Sequence, residues 1–335
     1  MTQDVRLEQL THWVRTQPDW QDAAIELAYA DASFRRYFRA STASGSAIIM
    51  DAPPQHEDCV PFLDITERLR QASVHAPQVL ARNLMDGFLM LEDLGSTLLL
   101  DDLHPDTVDW HYQQAMTELL NLQAAEVEGL PVYDEDFLRQ EMELMPTWFL
   151  RTHLQFAEAE LPSALLARTF NTLATEIRRQ PLVFVHRDFH SRNLMLTPGG
   201  ELGVIDYQDA MLGPATYDLV SLLRDCYVHW PEQRVRRWAL AFHHEAIIAG
   251  NLPPVDERSF LRWFDLTGLQ RHLKVLGIFS RLHHRDGKSR YLEDLPLVLS
   301  YVLNVGARHP ETVLLVEWLR EAGVPQRIGT VNIPG

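Results

Sequence analysis

The sequence predicts an α+β protein of two lobes: a small antiparallel β-sheet carrying one inserted helix, then a larger, mainly helical lobe. Three observations predict it. Short β-type runs recur five times before residue 95, separated by turn residues. Beyond residue 95 the apolar spacing takes the helical period over most of the chain. One polar loop, residues 186–193, lies between apolar β-type runs inside that helical part, and Asp206 ends the second run. The expected lobes are residues 1–94, a five-stranded sheet plus helix, and residues 95–335, with a hinge at 91–95. The second lobe is expected to carry the polar loop, Asp206 and an acceptor site.

The elements follow in order. Residues 4–16 read as a helix, with Val5, Leu7, Leu10, Trp13 and Val14 on one side. Residues 25–29, 37–40 and 47–50 read as strands, and residues 41–46, with Gly45, as a hairpin turn. Residues 61–73 return to the helical period through Phe62, Ile65 and Leu69. Residues 78–80 and 88–91 are two further strands, separated by a turn at Asp86 and Gly87. Helices are then expected over 105–126, 134–156, 162–180, 214–229, 231–250, 256–284 and 309–322.

Composition narrows the function classes. A chain of 335 residues with 46% hydrophobic and 23% charged residues has ample core-forming material. Its formal charge of −16 argues against a nucleic-acid partner, because a phosphate backbone needs a basic face. That charge permits a cationic substrate, the alternative being that it serves simple solubility. No run reaches the roughly 18 apolar residues of a membrane span; residues 295–305 are apolar but too short. Residues 1–15 show no signal-peptide core, and Cys59 and Cys226 form no disulfide framework, so a cytoplasmic setting is expected.

The chemistry lies in His186-Arg187-Asp188-Phe189-His190-Ser191-Arg192-Asn193 and in Asp206 thirteen residues later. In-line phosphoryl transfer needs a carboxylate to take the acceptor's proton and oxygen ligands to hold Mg²⁺ on the phosphates. Asp188 is the candidate base, and Asn193 and Asp206 are the candidate metal ligands. With the lobe order, these residues resemble a bilobed protein-kinase-like fold that uses ATP and Mg²⁺.

The nucleotide side departs from that pattern. Residues 30–38 stand where a phosphate-covering loop belongs, yet contain no glycine. Ser33, Phe34 and their backbone N–H groups are candidates to cap phosphate oxygens, with Arg35 or Arg36 as the cation. Met50 occupies the third-strand position where such kinases carry lysine, and the only lysines are Lys274 and Lys288. Either an arginine replaces the missing charge, with Glu67 as its candidate partner, or the chain binds nucleotide with impaired chemistry. Residues 92–94, with Glu92 and Leu94 at the ends, are expected to hold adenine by main-chain groups over Met50 or Met90.

Asp206 is followed by Gly213-Pro214 and a helix containing Asp218, which leaves no room for a peptide-docking activation segment. A small-molecule acceptor is therefore expected, with His190 near its hydroxyl and Asp218 bracing the loop. The loop, Ile205-Asp206-Tyr207-Gln208-Asp209 and Gly213-Pro214-Ala215-Thr216-Tyr217-Asp218-Leu219 resemble the aminoglycoside phosphotransferase superfamily over nearly the whole chain. Residues 31–38 and 269–279 are similar to its bacterial branch of anomeric kinases acting on N-acetylmuramate and N-acetylglucosamine in peptidoglycan recycling. That resemblance implies ATP, Mg²⁺, a cytoplasmic monomer and a C1-phosphate product that feeds UDP-sugar synthesis. It makes Arg271 the candidate cation for a lactyl carboxylate, its alternative being a surface charge. Glu143 and Trp148 are candidates to line the sugar cleft, the alternative for Trp148 being simple core packing. An aminoglycoside, choline-type or homoserine-type kinase and a non-catalytic nucleotide-binding regulator are the competing readings.

Overall fold

A computed structural model describes residues 4–30 and 34–328. The chain divides into two compact units, Met1–Asp101 with Asn193–Asp209, and Asp102–Arg192 with Ala210–Gly335. The sequence placed residues 193–209 in the helical part. They join the first unit because Leu194–Leu196 pairs on one side with Thr97–Leu98 and on the other with Leu202–Val204.

In the first unit, α1 (Val5–Arg15) starts where Asp4 accepts the Leu7 N–H at 3.1 Å. Strands β1 (Ala24–Ala30), β2 (Arg36–Thr42) and β3 (Gly45–Asp51) precede α2 (Cys59–Gln71), which is followed by β4 (Val79–Asn83) and β5 (Phe88–Glu92). They form one antiparallel sheet in the order β1-β2-β3-β5-β4. The two-residue period sorts its faces. Phe38, Ala40, Ala47, Ile49, Phe88 and Met90 pack with Leu10 and Val14 of α1. Met50, Leu89 and Leu91 turn to the other face and are also buried. The β4–β5 turn needs Gly87: its φ is +73°, and a Cβ would stand 1.9 Å from the Ala52 carbonyl oxygen.

In the second unit, α3 (Val108–Gln123) and α4 (Glu135–Met142) lead to a π-type segment, Met145–His153, and then to α5 (Ser163–Ile177). Strand Leu182–Val185 pairs antiparallel with Met211–Pro214. The helices α6 (Tyr217–Leu223), α7 (Glu232–Ile248), α8 (Glu257–His284), α9 (Leu295–Gly306) and α10 (Val313–Glu321) follow. Helix α8 is buried almost throughout residues 260–280, as the spine of a helical core must be.

Two sequence expectations change here. The helix expected over 134–156 breaks after α4, because Pro146 has no N–H to donate to the preceding turn. The helix expected over 214–229 shrinks to α6, since Gly213 and Pro214 are used in the strand pair and the helix ends at Arg224. The apolar run at 295–305 is a buried helix packed on α8. No helix among the described residues is long and apolar enough to cross a membrane.

Candidate active site

Strand Leu182–Val185 delivers the polar loop directly. Asp218, in the first turn of α6, accepts the N–H groups of His186 at 2.7 Å and Arg187 at 2.9 Å. These bonds hold Arg187 at φ +80°, a left-handed conformation that costs a non-glycine residue about 1–3 kcal/mol. Burial pushes the Asp218 carboxyl up to about 6, with His186 and the two N–H donors pulling the other way. The bracing role expected of Asp218 is the one observed.

Asp188 is 46% exposed and faces a cluster of cations within its own unit. Its carboxylate is 3.5 Å from the Arg271 guanidinium, which also donates to the Arg187 carbonyl at 3.2 Å. Burial works to raise the Asp188 pKa, but Lys274, Arg271, His190 and Arg187 outweigh it and hold the carboxyl well below the usual range. Lys274 is itself paired with Glu141 at 2.8 Å, and Glu141 also accepts Arg187 at 2.9 Å and the Tyr133 hydroxyl. Sequence reasoning missed Glu141 and Lys274. The signal for Glu141 was its register with the buried Leu138 and Met142 on α4, where a carboxylate needs partners.

His190 is half-buried, with its ring edge on Tyr227 at 5.3 Å. Burial pushes its imidazole down from the ordinary value, opposed by Asp225 and Asp188. Asp225 accepts the Ser191 N–H at 2.9 Å and the Tyr227 N–H at 3.1 Å. Arg192 lies over the Tyr227 ring, 3.6 Å from its centroid. None of Asp225, Tyr227 and Arg192 was singled out from sequence.

The candidate metal ligands lie together in the first unit. The Asn193 side-chain amide is 3.3 Å from Asp206 Oδ2, and the Ile205 N–H donates to the Asn193 carbonyl at 3.0 Å. Asp206 has φ +66°, and its next residue is anchored: the Tyr207 hydroxyl is 2.8 Å from Thr66 Oγ1, with its ring stacked on Phe62 of α2. With its amide turned to present the oxygen, Asn193 would join the Asp206 carboxylate in holding a hard divalent cation such as Mg²⁺, which takes oxygen ligands. Among the described residues no three His, Cys, Asp or Glu side chains converge as a metal cage. A cation here would take its remaining ligands from phosphate and water, as Mg²⁺ does.

The nucleotide candidates separate. Ser33 lies outside the described residues. Phe34 stacks on His56 at 4.3 Å, and Arg35 pairs at 3.0 Å with Glu57, just ahead of α2. Arg36 is turned to the α1 side of the sheet: it sits opposite Asp51 and is bound by Asp51 and Asp4, away from the face that carries Met50. Glu67, the expected partner of an arginine, is exposed on α2 and accepts from Gln71 at 3.0 Å. At the hinge, the Glu92 side chain takes His75 and the Gln78 N–H, while its own N–H donates to the Gln78 carbonyl. Leu94 is buried, packed on Gly203 so closely that a Cβ there would stand 2.5 Å away.

Of the acceptor candidates, Arg271 is only 2% exposed and held against the loop; it is no surface charge. Glu143 caps α4 and is exposed at the surface; partial loss of hydration raises its carboxyl against the pull of Arg151. Trp148 is half-buried on the π-type segment. Neither has a hydrogen bond or ring contact with the loop among the described residues.

The model of the phosphotransferase enzyme family matches residues 24–258. An N-acetylmuramate/N-acetylglucosamine kinase of Pseudomonas aeruginosa is 44% identical, over 97% of this chain and 99% of the relative. A protein of the same name from Neisseria meningitidis is 40% identical, over 93% and 94%. Among solved structures, a Plasmodium vivax ethanolamine kinase aligns with a TM-score of 0.64 at 11% identity, over 88% of this chain and 86% of that one. This last likeness carries the fold alone, the α+β, protein-kinase-like arrangement expected from the sequence. The paired loop and aspartate, the family match and the identity over nearly the whole chain lead to one conclusion: the chain belongs to the phosphotransferase enzyme family and is a small-molecule kinase.

Proposed function

We propose that this enzyme transfers the γ-phosphoryl group of ATP to the C1 hydroxyl of N-acetylmuramate and N-acetylglucosamine. The observation that carries the acceptor is the 40–44% identity, over 93–97% of the chain, to kinases named for those two sugars. A hemiacetal hydroxyl is more acidic than an ordinary alcohol, so Asp188 faces an easier deprotonation. Its neighbours Arg271 and Lys274 keep it ionised and ready to accept that proton. His190, beside the base, lies near the acceptor hydroxyl in this reading, and Glu143 and Trp148 line the sugar.

Asn193 and Asp206 hold Mg²⁺, which when bound neutralises charge on the phosphates. Arg35, steadied by Glu57, serves the phosphates in place of a third-strand lysine, with a backbone N–H from Ser33, whereas the Phe34 N–H is taken by Glu57 at 3.3 Å. Arg36 is committed to Asp51 and Asp4 and is left out of this role. The Glu92 N–H is occupied, whereas no hydrogen bond among the described residues engages the Leu94 main chain. Leu94 therefore reads the adenine edge, over Met50. The reading includes a cytoplasmic monomer whose product feeds UDP-sugar synthesis, with no nucleic-acid or membrane partner.

Coupled ADP release with both sugars, and a 31P spectrum of the product, test this. Turnover of both with phosphate on C1 is expected. Turnover of neither, phosphate on C6, or faster turnover of kanamycin or choline would overturn it.

A further inference from the structure

We infer that Arg192 binds the acceptor's carboxylate and thereby sets the preference for N-acetylmuramate over N-acetylglucosamine, an inference that rests on the proposed function. The two sugars differ by one anionic group, the lactyl carboxylate, so a cation that tells them apart must be near the base and unspent. Arg192 is four residues past Asp188 and half-buried. Its guanidinium lies over Tyr227 at 3.6 Å, and no hydrogen bond or ion pair among the described residues engages it. Arg271, the cation the sequence suggested, is 2% exposed and already faces Asp188 and the Arg187 carbonyl.

The seat under Arg192 is built. Asp225, buried at 1% exposure, takes the Ser191 N–H and hydroxyl with one oxygen and the Tyr227 N–H with the other. One carboxylate thus holds both the residue before Arg192 and the backbone of the residue whose ring lies beneath it. Tyr227 also stacks on Phe279 at 6.1 Å and meets His190 in an edge contact at 5.3 Å. A guanidinium stacked this way has already lost part of its freedom and hydration, and its in-plane fork remains open to a carboxylate. Asp294 senses Arg192, and burial pushes its carboxyl up to about 6 despite that arginine. No ion pair joins the two among the described residues.

The test is kcat/KM for both sugars in wild type, Arg192→Gln and Arg192→Lys, with KM for ATP measured in each. Arg192→Gln is expected to shift the N-acetylmuramate to N-acetylglucosamine ratio at least tenfold against N-acetylmuramate. Arg192→Lys, which keeps charge but not the stacked fork, should recover part of it, and KM for ATP should move less than the ratio. If both sugars fall equally, or KM for ATP carries the change, Arg192 serves the transferred phosphoryl and the inference is wrong. Wild-type enzyme that turns over neither sugar overturns the proposed function and this inference with it.

Discussion

Asp188→Asn keeps the shape of the proposed base and removes its proton affinity. With Arg271 and Lys274 left beside a neutral amide, kcat is expected to fall by about 10²–10⁴-fold, measured by coupled ADP release. Because its cations hold Asp188 well below the usual carboxylate range, Asp188 should not set the acid limb of the pH profile. Asp218, raised to about 6 from an ordinary 3.8, should. Protonating it removes acceptor capacity from the His186 and Arg187 N–H groups, so kcat is expected to fall as pH drops through about 6. Asp218→Asn should lower the plateau and flatten that limb; a limb that persists unchanged would assign it to another group. The stability sign is opposite. A raised folded pKa means the native state binds the extra proton between about 4 and 6, so this group's contribution is full below that window and lost as pH rises through about 6.

At the scale of elements, α8 is held by the close approach of its neighbours. A Cβ on Gly277 would lie 2.3 Å from the Leu144 carbonyl carbon, where the chain turns from α4 into the π-type segment. Gly277→Ala is therefore expected to destabilise by about 1–3 kcal/mol despite alanine's better helix propensity. Gly268, on the same helix, has its nearest neighbour at 3.4 Å, an ordinary contact. Gly268→Ala should be neutral or gain up to about 1 kcal/mol. Urea denaturation midpoints check both, and equal behaviour of the two variants would refute the packing argument. The same scale shows which parts of the site were legible. The loop from His186 to Asn193 is contiguous, so its pattern announced itself. Glu141 and Lys274 come from different helices and meet only through the packing of α4 against α8. Strand alternation alone could have excluded Arg36, which shares a face with Phe38 and Ala40.

At the scale of the whole molecule, the chain enters the first unit, leaves it at Asp101, returns for Asn193–Asp209 and leaves again. The nucleotide binding proposed through Asn193 and Asp206 should thus register as stability. Mg²⁺·ATP at a hundred times its Kd is expected to add about 2.7 kcal/mol to unfolding, seen as a raised Tm. Chelating the metal or substituting Asp206→Ala should abolish the shift, whereas Asp188→Asn should keep it. A full shift without metal would remove Asn193 and Asp206 from the metal role. The formal charge of −16 and the absence of a membrane-length apolar helix among the described residues are properties of the same whole, and neither depends on how the site is built.

The sequence by itself determined the α+β class, the strand-then-helix order and the three polar residues of the phosphoryl-transfer pattern. All of these are local: periodicity and loop spacing act over a few residues and need no partner from elsewhere. Tertiary structure decided which charges are spent and which remain. Arg36 is consumed by Asp51, Arg271 by Asp188 and Lys274 by Glu141, while Arg192 is laid on Tyr227 with no carboxylate paired to it among the described residues. The physical reason is that a charged side chain's role depends on its nearest opposite charge, and in each of these pairs that partner lies between 15 and 133 residues away along the chain.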